Sequence, residues 1–183
     1  FYRSSFKEAE HKDIWIATTQ FEPTAARMEF PCWDEPEFKA IFSIALTTDS
    51  DLIRISNEKV LHETTENNRT TTKFVDSMRM STYLVAFVVG RLEVSKIGSS
   101  KTTDVGIVHR PGFSDQTNFA GTAAIKILDF FEEYYGINYP GSKLDLVAIP
   151  DFAMGAMENV GAVTFRETLL LIDVEKATRA ELS

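Results

Sequence analysis

"PGFSDQTNFAGTAAIKILDFFEEYYGINYP", Pro111 to Pro140, holds the only long helical pattern in the chain, and its place decides the fold class. Phe119, Ala123, Ile127, Phe130 and Tyr134 recur at spacings of four, four, three and four, which stacks them on one helix face. Ser114 is a candidate N-cap, and Asp115 puts negative charge where the helix dipole favours it. Gly136, with Pro140 just beyond, reads as a left-handed stop. The aromatics of this face are expected to be core.

Upstream of that helix the pattern is β. Ile14 to Thr19 is rich in strand formers, and Phe42, Ile44 and Leu46 fall at period two within Ala40 to Thr48. Thr70 to Asp76 fits an exposed strand, and Thr82 to Val94 carries the continuous apolar run Tyr83 to Val89. Asp49-Ser50-Asp51 and Glu66-Asn67-Asn68-Arg69 are turn formers between strands. Downstream of the polar stretch Lys96 to Thr103, a short strand at Val105 to His109 precedes the helix. Strands at Leu144 to Ile149 and Ala162 to Leu171 follow it, then a polar helix from near Asp173. The pattern therefore changes near Arg91. The expectation is an α+β chain: residues 1–91 in a mostly antiparallel β-domain, residues 92–183 in a mixed α/β domain.

Composition narrows the partners. The 183 residues are 44% hydrophobic and 25% charged, enough for a real core. A net charge of −8 excludes the basic footprint that nucleic acid or anionic lipid requires. The longest apolar run is far too short to span a bilayer, and no signal peptide is visible. Cys32 is the only cysteine, so no disulfide closes within the chain. Asn68-Arg69-Thr70 is a glycosylation triplet that leaves a secretory location open. Phe1 in place of an initiator Met, and Ala180 to Ser183 with no helix stop, read as a piece of something longer.

No catalytic engine is visible in the residues themselves. His11, His62 and His109 lack metal-ligand spacing and read as structural. Ser4-Ser5 and Ser99-Ser100 lack a nucleophile-elbow context, and there is no glycine-rich phosphate loop. Asp34-Glu35-Pro36 reads as a turn salt-bridged to Arg27 or Lys39, and Arg166-Glu167 as solvated or paired. One segment is odd: Glu158 lies among Phe152, Met154, Ala156 and Met157, where a carboxylate is costly to desolvate.

Three motifs in order explain it. Thr19-Gln20-Phe21-Glu22-Pro23-Thr24-Ala25-Ala26-Arg27 is followed by Phe30-Pro31-Cys32-Trp33-Asp34-Glu35-Pro36-Glu37-Phe38-Lys39-Ala40. Later comes Gly155-Ala156-Met157-Glu158-Asn159, approached through Leu146 to Phe152. The chain closely resembles the aminopeptidase N-type zinc metallopeptidases, the gluzincin aminopeptidase family, which carries T-Q-F-E-P-x-x-A-R, F-P-C-[FW]-D-E-P-x-x-K-A and G-A-M-E-N. The likeness covers essentially the whole chain.

It implies an N-terminal β-domain joined to the start of a thermolysin-like catalytic domain, and zinc as cofactor. The family's H-E-x-x-H is absent, so the metal ligands are expected beyond Ser183 and the 183-residue chain alone is expected to be inactive. The substrates implied are peptides with a free N-terminus. Glu158 and Glu22 would hold the α-ammonium, with Gln20 beside them, and Gly155, Ala156, Met157 and Asn159 would belong to the substrate-binding segment. The alternative is a family-like scaffold that has lost its metal and serves as an interaction module.

Overall fold

The computed structural model describes residues 1–7 and 13–178. His11 and residues 180–183 lie outside them.

Two antiparallel sheets are built from the first half. β1 (Tyr2–Lys7), β2 (Asp13–Thr18), β7 (Phe87–Gly90) and β4 (Ile53–Ser56) lie side by side in that order. β3 (Ala45–Asp49), β6 (Arg69–Phe74) and β5 (Val60–Glu66) form the second. β5 and β6 are joined at Asn67-Asn68, both with positive φ, 50° and 61°. Asparagine tolerates that region, and two such residues give the turn that suits the twist of a hairpin.

The second half supplies one mixed sheet in the order β11-β12-β10-β9-β8. Its strands are β8 (Glu93–Ser99), β9 (Asp104–His109), β10 (Lys143–Ile149), β11 (Ala156–Met157) and β12 (Ala162–Arg166). β9, β10 and β12 run parallel, and β8 and β11 are antiparallel to their neighbours. The crossover from β9 to β10 is α1 (Asn118–Tyr135), which ends at Gly136 with φ 65°. An α+β chain, antiparallel first and mixed afterwards, is what the pattern led us to expect.

Several expectations need correction. Thr82 to Val94 is not one strand. Thr82–Leu84 form a 3-10 turn before β7, and Leu92 is buried between β7 and β8. The run is apolar because the turn itself packs inward: Val85 and Ala86 are buried while Asn57 satisfies the backbone there. The Ala40 to Thr48 strand begins only at Ala45, although Phe42 and Ile44 do pack on the core. The threonine-rich β6 is central rather than exposed, with Thr70, Thr72 and Phe74 buried. β12 stops at Arg166, and α2 (Glu167–Leu170) follows. Residues 174–176 form a turn bonded back to Asp173, and the rest of the helix expected there lies outside the described residues. β1, β4 and β5 had no clear signal in the pattern.

The helix face is the largest correction. Phe119, Ile127, Phe130 and Tyr134 point outward, the last two 60% and 70% exposed. The face on the sheet is Ala120, Gly121, Ala124, Ile125 and Leu128. Small residues win it because the helix lies close: a Cβ on Gly121 would overlap the Ile97 side chain on β8.

Ile16 and Val88 from the first half form one cluster with Leu92, Val108, Val147, Ile149, Phe152 and Met157 from the second. The site segment therefore sits on a core that the two halves share.

Candidate functional site

The edge strand β11 and its flanks present the 155–159 segment. Ala156 and Met157 pair with Phe165 and Thr164 of β12, and Arg166 N–H donates to Gly155 O at 2.9 Å. The other edge of β11 meets no strand among the described residues. Alternation along the chain then sorts the side chains. Met157 and Asn159 are buried, whereas Gly155, Ala156 and Glu158 are exposed. A Cβ on Gly155 would meet only Leu169 Cδ1, at 3.5 Å, so packing within this chain does not require glycine there.

The loop leading into β11 is held from two sides. Arg166 donates from Nε to Phe152 O at 3.0 Å and from Nη2 to Ala153 O at 2.5 Å. From the first half, Ser4 Oγ accepts from Asp151 N–H at 2.9 Å and the Tyr2 hydroxyl donates to Asp151 O at 3.3 Å. Burial, with help from the Asp151 charge, pushes the Tyr2 phenol up to about 12, so it remains a donor at neutral pH. No motif pointed to Tyr2, Ser4 or Arg166. Tyr2, Gln20, Asp151, Phe152, Ala153 and Met154 line a hollow of about 330 Å³.

Phe21 anchors the other segment. It is wholly buried, edge-on to Phe30 and Phe87, and its carbonyl accepts from Ala25 N–H at 2.8 Å to close a tight turn. Gln20 and Glu22 flank this anchor, and Gln20 Nε2 lies 3.5 Å from Met157 Sδ. Residues 137 apart in sequence thus come into contact. Gln20 Oε1 is buried and has no hydrogen-bond partner among the described residues. Glu22 and Glu158 are both exposed, and neither carboxylate joins a hydrogen bond or ion pair among the described residues.

Asp34 belongs to a scaffold beside this turn. It is buried, pairs with Arg27 at 3.3 Å and accepts from the Thr82 hydroxyl at 2.6 Å, so Arg27 rather than Lys39 is its cation. Glu167 is paired too, with Arg110 at 2.8 and 3.0 Å. His109 is buried between Ser95 Oγ (2.9 Å from Nε2) and Arg110 O (2.8 Å from Nδ1), a packing role.

Two family models match this chain. The one described as the Peptidase M1 N-terminal domain takes residues 1–84, and the Peptidase family M1 domain takes residues 119–183. The chain belongs to peptidase family M1. It is 42% identical over 175 residues to the puromycin-sensitive aminopeptidase of Caenorhabditis elegans, a match covering 94% of this chain and 18% of that protein. It is 46% identical over 173 residues to aminopeptidase M1 of Arabidopsis thaliana (94% and 20%). To human endoplasmic reticulum aminopeptidase 2 it is 44% identical over 182 residues (99% and 19%). This M1 chain therefore spans about a fifth of the length of those relatives.

A metal site does not come from the residues on view. Among the described residues no three His, Cys, Asp or Glu side chains are grouped as a metal needs. Both nitrogens of His109 are engaged, and His62 stands on the exposed strand β5. These side chains do not fit zinc. No helix among the described residues is long and apolar enough to cross a membrane.

Proposed function

We propose that this chain is the amine-recognising part of a zinc-dependent aminopeptidase that removes N-terminal residues from peptides, with the metal ligands beyond Ser183. The observation that carries this reading is the contact of Gln20 with Met157, which brings the two acid-bearing segments together. The proposed boundary lies near Arg91, since the first two sheets use only residues up to Gly90 and the third begins at Glu93.

The chemistry follows from charge. A free α-amino group ordinarily titrates at about 7.7 to 8.0, so much of it is an ammonium at neutral pH, whereas an internal amide is neutral. Glu22 and Glu158 have no cation of their own among the described residues, and the substrate terminus supplies one. A unit pair at 4 Å is worth about 1 kcal/mol in water and about 4 at an effective dielectric of 20. Both carboxylates are exposed in this chain, so the lower figure applies to each. Two such pairs still give about 2 kcal/mol, more than tenfold discrimination.

Gln20 Oε1, a buried acceptor with no donor among the described residues, adds a place for an ammonium N–H. The free edge of β11 offers backbone groups to an extended peptide in the manner of strand addition, and Gly155 and Ala156 keep that edge open. Asn159, buried beneath it, donates weakly to Ala162 O at 3.4 Å and belongs to the support of the segment.

The test is made in the longer protein this reading implies, loaded with zinc. Glu158→Ala and Glu22→Ala should each lower kcat/KM on aminoacyl p-nitroanilides by about fivefold, as loss of one pair worth about 1 kcal/mol would. Normal turnover in both variants removes the amine-binding assignment. A wild-type protein that contains no zinc and hydrolyses nothing points instead to a scaffold without catalysis.

A further inference from the structure

We propose that Asn57 is a positioning residue for the 155–159 segment, fixing from the first half of the chain the backbone on which Glu158 is carried. This rests on the reading that Glu158 meets the substrate.

Asn57 follows β4 and is 1% exposed. Its Nδ2 donates to Leu84 O and to Val160 O, both at 2.8 Å, and its Oδ1 accepts from Ala86 N–H at 2.9 Å. Both amide hydrogens are used, one on each side of the junction between the first sheet and the mixed sheet. A side chain of this kind, satisfied and buried, has one orientation.

Gly161 is held just as fully. Its N–H donates to the Tyr139 hydroxyl at 2.8 Å, and its carbonyl accepts from Lys143 Nζ at 2.7 Å and from Asp145 N–H at 3.0 Å. The Lys143 ammonium also reaches Ser56 O at 2.7 Å, a second tie to the end of β4. Gly161 has φ 74°, and a Cβ there would overlap the Asn57 carbonyl, so the two backbones touch with no side chain between them.

Val160 is two residues after Glu158, and an extended residue spans at most about 3.6 Å. Before Glu158 the segment is held by a strand of only two residues, Ala156 and Met157. After Glu158, Asn159 O accepts from Ala162 N–H at 3.2 Å and the bond from Asn57 to Val160 O ties the same stretch to the first half of the chain, so slack there loosens the backbone that carries the carboxylate.

The experiment uses the longer, zinc-loaded protein and compares Asn57→Ala with Ser56→Ala. Ser56 is equally buried and its hydroxyl donates to Ala86 O at 2.8 Å, with no bond from that hydroxyl to residues 155–161. Asn57→Ala should raise KM for an aminoacyl p-nitroanilide about tenfold more than Ser56→Ala does, with kcat within about threefold in both. Amides 156–158 should exchange about tenfold faster in Asn57→Ala than in Ser56→Ala. Equal KM changes in the two variants of an active enzyme overturn the positioning role. Equal exchange rates overturn the tether itself, even where the wild type proves inactive and the functional reading has failed separately. Should Asn57→Ala not fold, Tyr139→Phe removes only the hydroxyl that holds Gly161 N–H and is read by the same two measurements against the same control.

Discussion

Asp34 shows how one carboxylate carries a pH dependence. Burial alone would raise it, but the Thr82 hydroxyl, the Arg27 amide and the Arg27 guanidinium together hold it below the usual carboxylate range. A folded-state value below the unfolded one contributes stability that is fully present above about pH 4 and lost as pH falls through the folded value. Asp34→Asn should therefore melt lower than wild type at pH 7, and the difference should shrink as pH falls below about 4. Parallel curves across that range would remove Asp34 as the source. The sequence suggested this ion pair because Arg27, Asp34 and Lys39 are close along the chain. Glu158 also stood out, as a charge in apolar company. Asn57, Lys143 and Arg166 did not, because each bonds backbone far away in sequence and nothing local marks a side chain for that task.

At the scale of elements, α1 explains why periodicity misled. The helix has two apolar stripes: Phe119, Ile127, Phe130 and Tyr134 on one, Ala120, Gly121, Ala124, Ile125 and Leu128 on the other. Spacing identifies an apolar face but not which of two meets the sheet. The signal that could have decided it was size, since three small residues in one stripe mark close approach to a neighbour. Leu128→Ala should cost about 2 kcal/mol or more, as partly buried leucines do, while Phe130→Ala should cost less than about 1. Urea unfolding measures both, and a larger loss for Phe130→Ala would reverse the assignment of faces. The β10 run was read correctly because β10 is buried on both faces and shows as continuous apolar residues. The run from Thr82 to Val89 looks the same in sequence, yet it buries a turn as well as a strand.

For the whole molecule, the informative feature is the cluster that joins Ile16 and Val88 to Val108, Val147 and Ile149. All five are buried, and three of them close a face of the mixed sheet against the first sheet. Two halves sharing a core should unfold together, so urea should give a single transition with coincident fluorescence and circular-dichroism midpoints. Separate midpoints would mean that the halves are independently stable. The passage from antiparallel to mixed sheet was legible because alternating strands give way to a helix and parallel strands. The shared core was not, because no local pattern shows which strand faces are pressed together. Such a chain is inherited as a unit: a bulkier side chain at Val88 must be answered by a smaller one elsewhere in that cluster. Exchanging one half between distant relatives would therefore carry over mismatched shapes that no linker of any length could absorb.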